Sequence, residues 1–538
     1  MTESMTESEP REDEPVTGAK ALITALADEG VDVCFANPGT SEMQLVAAIS
    51  EEPRIRAVLG LFEGVVTGAA DGYGRMADKS ALTLLHLGPG LGNGTANLHN
   101  ARRAHSPVLN MIGDHATYHR QYDAPLTSDI HGFAAPVSDW IGESESPEHL
   151  AEVGIQGLRE ACVYPGQVAS FIAPADHAWS AVKTSDQNAG TNEAATALKA
   201  VPKADDAAIE AAAEALRNSQ SSCLFLGGMA LREEALFEAG RIAAATGARL
   251  ITETFCTRLQ RGAGRVPVER LPYFGEQACD YLAGFDALVY VGTKAPVSFF
   301  AYPGKPSLLA PPSAKQVTLA PTRVDALDAL QRLAAALDAP LEPAVLQPRV
   351  THAIEPGPLD AMAIGKIIAN HLPANAIVSD EGATNSLGPF LFTGSAEPHD
   401  WLMLMGGAIG QGLPVAVGAA MACPDRKVVA LQADGSAMYT VQALWTMVRE
   451  QLDITVVLLN NSSYAILNIE MERVGASTPN ADAKQLLDLS NPTIDWVSIA
   501  RGMGMSAVRV DSVDDFGAAF TRAMTQRGPT LIEAILPG

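Results

Sequence analysis

Short apolar runs alternate with amphipathic stretches along the whole chain. VDVCFA, AVLGLF, ALTLLHL and VLNMIG lie in the first third, SCLFLGG, ARLITETF and ALVYVG in the middle, and AIVSDEG, KVVALQADG, ITVVLLNN and TLIEAIL in the last. Runs of this length, rich in Val, Ile and Leu, predict strands buried on both faces. Between them, stretches such as GAKALITALADEG and YTVQALWTMVREQ carry the spacing of helices with one apolar face. Strand–helix alternation predicts an α/β protein whose parallel, doubly wound sheets are covered by helices on both sides.

Two breaks in composition divide this pattern. Residues 175–205 are polar, and residues 337–358 are rich in proline; both read as linkers. They leave three domain-sized segments, 15–180, 200–335 and 355–538. Residues 1–14 carry six acidic side chains and no apolar core, so they read as a disordered tail rather than a secretory or transit signal. The stretch from Trp401 to Pro424 is uncharged and long enough to cross a bilayer. It contains five glycines, Gln411 and Pro414, and reads instead as a Gly-rich loop leading into a buried helix.

Composition narrows the function classes. The 538 residues are 47% hydrophobic, enough for several cores, and the formal charge is −25. That balance argues against a broad nucleic-acid or anionic-membrane surface, while leaving room for an anionic small substrate in one cleft. Cys34, Cys162, Cys223, Cys256, Cys279 and Cys423 are scattered, with no CxxC pair. They read as reduced thiols of a cytoplasmic protein without a disulfide frame.

In doubly wound sheets the chemistry sits beyond the carboxyl ends of strands. The strand KVVALQ ends at Ala433-Asp434-Gly435-Ser436, a helix is expected over roughly Ala437 to Gln451, and the next strand ends at Asn460-Asn461. One helix and one return strand bring Asp434 and Asn461 to the same edge of neighbouring parallel strands. A carboxylate, an amide oxygen and a carbonyl just beyond, at Ser463, make an oxygen-only partial shell suited to Mg²⁺. Amides near Gly435 and Ser436 can take a diphosphate. Taken separately, Asp434 reads as an N-cap and Asn460-Asn461 as a turn; the spacing between them favours a site.

This pattern resembles the metal and diphosphate motif of thiamine diphosphate (ThDP) enzymes, with Ala433 standing where glycine is usual. The resemblance covers nearly the whole chain: Asn37-Pro38-Gly39-Thr40, Glu63 with Ala70-Asp71-Gly72-Tyr73, His86-Leu87-Gly88-Pro89-Gly90, His105-Ser106-Pro107, Gly406 to Pro414 and the Asp434/Asn461 pair occur in the family's order. It is strongest towards benzoylformate decarboxylase and acetolactate synthase large-subunit-like proteins. It implies a pyrimidine-binding, a central and a diphosphate-binding domain, and a homodimer or homotetramer whose active sites are shared between chains. It implies that Glu63 hydrogen-bonds N1′ of the aminopyrimidine, that the Gly407 carbonyl meets the 4′-amino group, that Ile409 bends the cofactor, and that Thr384 contacts the diphosphate. Thr40 and His86 fall where benzoylformate decarboxylase has a serine and a histidine near the substrate. That enzyme's second histidine corresponds to about Ala301, and Asp114, before His115, stands where glutamine is common. Acetolactate synthases often bind FAD in the central domain; here Gly227-Gly228 is a lone pair and no dinucleotide fingerprint predicts it.

The expected activity is ThDP- and Mg²⁺-dependent decarboxylation of a 2-oxo acid with ligation of the enamine to a second carbonyl compound. Simple decarboxylation releasing an aldehyde is the alternative. A ThDP-binding protein without turnover is a third reading, which loss of Glu63 or Asp434 would have marked.

Overall fold

The computed structural model describes residues 15–183, 200–475 and 481–537. The predicted acidic tail, residues 1–14, and the middle of the first linker lie outside these. The described chain builds three α/β units around parallel sheets.

The first sheet holds β1 (Val33–Asn37), β2 (Arg56–Leu59), β3 (Ala81–Leu85), β4 (Val108–Asp114), β5 (Trp140–Glu143) and β6 (Val168–Pro174), in the order 2-1-3-4-6-5. The second holds β7 (Ser222–Leu226), β8 (Arg249–Thr252), β10 (Glu269–Arg270), β11 (Ala287–Val291) and β12 (Lys315–Ala320), in the order 10-8-7-11-12; β9 (Leu259–Arg261) leaves it. The third holds β13 (Ile377–Glu381), β14 (His399–Met403), β15 (Val428–Ala433), β16 (Ile454–Asn460), β17 (Ser506–Val510) and β18 (Thr530–Ile535), in the order 17-18-16-15-13-14. There β9, a strand of the middle segment, adds antiparallel to β14, with His399 opposite Arg261. All other strand pairs are parallel, so every sheet has one carboxyl edge on which loops collect.

The apolar mass is shared between units. One core joins the helix Glu63–Ala77 and the first sheet to the helix Gly412–Ala422 and the third sheet; another joins the second and third sheets. Gly412–Ala422 is apolar on every side, and such a helix is stable only where packing surrounds it. Trp401–Pro424 is therefore the strand β14, a Gly-rich loop and a buried helix. No helix among the described residues is long and apolar enough to cross a membrane.

Buried ion pairs reinforce the joints. Arg75 pairs with Asp71 at 2.6 Å with both side chains fully buried, and donates to the Met403 carbonyl at 2.7 Å. Arg258 pairs with Asp400 at 2.6 Å and donates to the Arg75 carbonyl at 3.0 Å. One chain of donors thus touches all three units.

Candidate active site

The metal and diphosphate candidates assemble at the carboxyl edge of the third sheet. Parallel pairing sets Ala433 opposite Leu459, so Asp434 and Asn461 leave adjacent strand ends together. The Asp434 carboxylate is 2% exposed and accepts the Ser462 backbone N–H at 2.9 Å. The two asparagines differ. Asn460 accepts from Ser462 through its oxygen and donates its amide to buried Glu533 at 2.8 Å, which makes it part of the frame. Asn461 is half-buried, and its oxygen accepts only the Ser463 N–H, at 3.2 Å. Ser462 holds φ +52°, an uncommon value for a residue with a side chain, and it turns the chain back over Asp434.

This donor set fits a divalent cation. Burial, with the Glu533 charge adding to it, pushes the Asp434 carboxyl above the ordinary aspartate value. No cationic side chain pairs with it among the described residues, and no group of three His, Cys, Asp or Glu among them is placed to hold a metal ion. A single acid flanked by neutral oxygens suits Mg²⁺, which keeps water and phosphate oxygens in its shell. Gly435 packs against the Tyr464 ring, 2.5 Å from where a Cβ would stand.

The helix expected over Ala437 to Gln451 is broken in three: a turn at Asp434–Ala437, a 3-10 turn at Met438–Thr440 and a helix at Ala443–Arg449. The break lets the Thr440 hydroxyl reach the Gly410 carbonyl at 2.9 Å. That contact ties the segment after Asp434 to the loop carrying Gly407 and Ile409.

That loop is shaped by a residue the sequence pattern did not reveal. Glu381, at the end of β13, is buried, and its carboxylate accepts the N–H groups of Gly410 and Gly412 at 2.7 Å each and of Gln411 at 3.4 Å. Gln432 donates to it at 2.9 Å, while burial raises its pKa from the ordinary value. An acid closing an apolar strand, just before Gly382, is the only signal the sequence carried. Gly407 and Gly410 hold φ +75° and +96°, which only glycine adopts without strain. Ile409 between them is half-buried. Thr384 lies in the 3-10 turn after β13, behind Ala383 at φ +51°.

Glu63, His86 and Thr40 gather at the carboxyl edge of the first sheet. Glu63 opens the helix Glu63–Ala77, is 7% exposed, and accepts the Asn93 amide at 3.0 Å. His86 ends β3 beside it. A Cβ at Gly90 would lie 3.3 Å from the His86 Cβ and 3.4 Å from Glu63 Oε1, so both side chains line one space. Glu42, which the sequence reading passed over, lies 2.7 Å from His86 Nδ1. Thr40 is exposed in the 3-10 turn Thr40–Glu42, between Gly39, against which the His86 ring packs, and Ser41, whose hydroxyl is 3.3 Å from Nδ1. Asp114, whose carboxyl is raised by burial, pairs with Arg120 at 2.6 Å. His115 follows it at the end of β4.

Contacts within one chain link the start of the helix Glu63–Ala77 to the Gly406–Gly410 loop. Asn97 donates to the carbonyls of Gly64 at 2.8 Å and Gly410 at 3.1 Å, and His99 Nε2 is 3.0 Å from the Gly406 carbonyl. The middle unit supplies a wall: a Cβ at Gly407 would lie 2.8 Å from the Phe299 ring, and Phe299 meets Phe300 and Phe255 edge-on at 5.0 and 5.7 Å and Tyr273 at a tilt, 5.5 Å away. Ala301 is exposed beside it. At the second sheet's carboxyl edge, Gly227 faces Glu253, whose Oε2 would be 2.9 Å from a Cβ on that glycine and whose Oε1 accepts the Thr293 hydroxyl.

Known proteins resemble the chain along nearly its whole length. Residues 16–136 match the family described as "Thiamine pyrophosphate enzyme, N-terminal TPP binding domain", and residues 387–534 match its "C-terminal TPP binding domain". The chain is 48% identical over 535 residues to "Putative acetolactate synthase large subunit IlvX" of Mycobacterium tuberculosis, covering 97% of this chain and 99% of that protein. It is 28% identical to benzoylformate decarboxylase of Pseudomonas aeruginosa, covering 95% and 97%. The fold matches that of a thiamine diphosphate-dependent 4-hydroxybenzoylformate decarboxylase from Rhodococcus jostii RHA1, with TM-score 0.84 and 24% identity over 97% of this chain and 99% of that one. With the Asp434 edge, the Gly407 loop and the Glu63 edge built on three such units, the chain belongs to the thiamine pyrophosphate enzymes and is a ThDP-dependent enzyme of 2-oxo acids.

Proposed function

We propose that the enzyme decarboxylates a 2-oxo acid and transfers the remaining acyl unit to a second carbonyl compound, as an acetolactate synthase does. The observation that carries this reading is the Phe299 ring packed against Gly407, two residues before Ala301, the position at which the resemblance puts the second histidine of a benzoylformate-type decarboxylase. An apolar wall there offers no proton, which leaves the acyl carbon for a carbonyl acceptor. The 48% identical relative, named as an acetolactate synthase large subunit, supports the same reading.

Bound ThDP would supply a carbon nucleophile and an electron sink. In this reading Asp434, Asn461 and the Ser463 carbonyl hold Mg²⁺, and Gly435, Ser436 and Thr384 hold the diphosphate. Glu381 fixes the loop that presents Gly407 and Ile409 to the cofactor. Glu63, buried and already accepting from Asn93, holds a proton at the pyrimidine. His86 moves a proton at the substrate, and Thr40 orients it. A homodimer or homotetramer with shared sites, in the cytoplasm, completes the proposal. Release of an aldehyde is the second reading, favoured by His86, which remains beside Glu63 as a proton carrier. Binding without turnover is disfavoured because Glu63 and Asp434 are both in place.

The deciding experiment incubates the protein with ThDP, Mg²⁺ and a panel of 2-oxo acids, with and without a second carbonyl compound. CO₂ and products are followed by mass spectrometry. Ligated product supports the proposal; aldehyde alone, whatever the acceptor, replaces it with the second reading.

A further inference from the structure

Glu42 is fully buried, yet no lysine or arginine pairs with it among the described residues. Burying a lone carboxylate is costly unless donors surround it. Three do. Oε2 accepts the Gly39 N–H at 2.7 Å and lies 2.7 Å from His86 Nδ1, and Oε1 accepts the Ser41 hydroxyl at 2.6 Å. Space has been cleared for it, since a Cβ at Gly113 would fall 1.9 Å from Oε1. The ring is held as firmly, because a Cβ at Gly39 would fall 2.3 Å from Nδ1.

We propose that Glu42 is the positioning residue for His86: it fixes the imidazole with its proton on Nδ1, so that the Nε2 lone pair faces the site, and it balances the charge when Nε2 takes a proton. The donor inventory carries the first half. An ionised carboxylate only accepts, so the nitrogen 2.7 Å away must be the donor, and in a neutral ring Nε2 is then the acceptor. The remaining 21% exposure of the His86 side chain leaves it accessible from outside the protein core. The second half follows from which partner can change charge. Gly39 and Ser41 stay neutral; only the imidazole becomes a cation, and the carboxylate 2.7 Å from Nδ1 is the group beside it that carries the opposite charge. Each transfer moves one proton between Nε2 and the reacting group or water, and the Nδ1 proton stays in place.

A plain turn-capping role would need only the Gly39 N–H, and it predicts neither a tautomer nor an effect on turnover. This inference rests on the proposed proton-carrying role of His86, and the test separates the two. Protein labelled with ¹⁵N-histidine is examined by NMR without cofactor, with His86→Ala used to assign the His86 signals. The wild type is expected to show the neutral ring protonated on Nδ1, and Glu42→Ala to shift it towards Nε2–H, the form favoured in water. Glu42→Gln keeps an acceptor of the same shape without the charge. It is expected to lower kcat by about 10²-fold with KM and ThDP affinity within about twofold, and Glu42→Asp to recover part of that loss. A wild-type ring protonated on Nε2, or wild-type kcat in Glu42→Gln, overturns the role assigned to Glu42. Wild-type kcat in His86→Ala instead overturns the role assigned to His86, whatever tautomer Glu42 sets.

Discussion

Gly72 and Val415 touch across the joint between the first and last units: a Cβ on Gly72 would lie 2.1 Å from the Val415 carbonyl oxygen. The same helix pair brings Gly418 within 1.9 Å, on the same measure, of the Ala69 carbonyl. Backbone meets backbone there, so no side chain can rotate aside. Gly72→Ala should therefore cost about 3 kcal/mol through overpacking. Gly517→Ala is the control. Its Cβ would find only the Ile367 Cδ1, at 3.9 Å, within the helix Val513–Thr525, and should gain about 0.5–1 kcal/mol. Denaturant melts of both variants check the contrast; equal effects would remove the packing argument.

Glu381→Ala should damage both stability and cofactor binding. It orphans the three N–H groups of Gly410, Gln411 and Gly412 and the Gln432 amide, at about 1–3 kcal/mol for each group left without water. ThDP titration followed by intrinsic fluorescence, beside a thermal melt, should show weakened binding and a lower Tm. Full affinity would mean that the loop keeps its shape without its acceptor.

Glu253 should make the protein less stable as pH rises. Burial lifts its carboxyl from 4.5 to about 7. Between those values the folded chain binds a proton that the unfolded chain has released. The resulting stabilisation is complete below pH 4.5 and is lost as pH climbs through 7, on the order of 3 kcal/mol in all. Glu253→Gln should flatten this part of the profile. Stability curves of the same slope from about pH 5 to 8 in the wild type and in Glu253→Gln would contradict the assignment.

Chelation with EDTA should abolish activity, and Mg²⁺ with ThDP should restore it. Asp434→Ala should stay folded but lose metal-dependent cofactor binding, because the diphosphate would then approach without a bridging cation. Calorimetric titration with ThDP decides it; wild-type affinity in the variant would take Asp434 out of the metal site.

The proposed sharing of sites between chains gives a mixing test. Glu63→Gln and Asp434→Asn homodimers should each be nearly inactive. After random subunit exchange about a quarter of the wild-type activity should return, since one site of each mixed dimer collects neither change. Confirmed exchange between folded parents with no recovery would rule sharing out.

The strands and the metal-edge candidates were readable because each signal is local. Val428–Ala433 and Ile454–Asn460 are continuous apolar runs buried along their length, and Asp434 and Asn461 follow them directly. One helix and one return strand separate the pair, so chain spacing alone implied a common edge. Strands such as Lys315–Ala320 and Ser506–Val510 were not readable, since they lie at sheet margins, largely exposed, without a continuous apolar run. Tertiary structure alone decided the partners that lie far apart in sequence. Glu42 meets His86 from 44 residues away, and Glu381 meets Gly410 from 29. Strand β9 left its own sheet for β14, and the Gly72–Val415 contact required two helices to cross. A buried acid looks like a surface acid until its donors arrive from other strands, and a glycine looks like a loop residue until another backbone occupies the place of its Cβ.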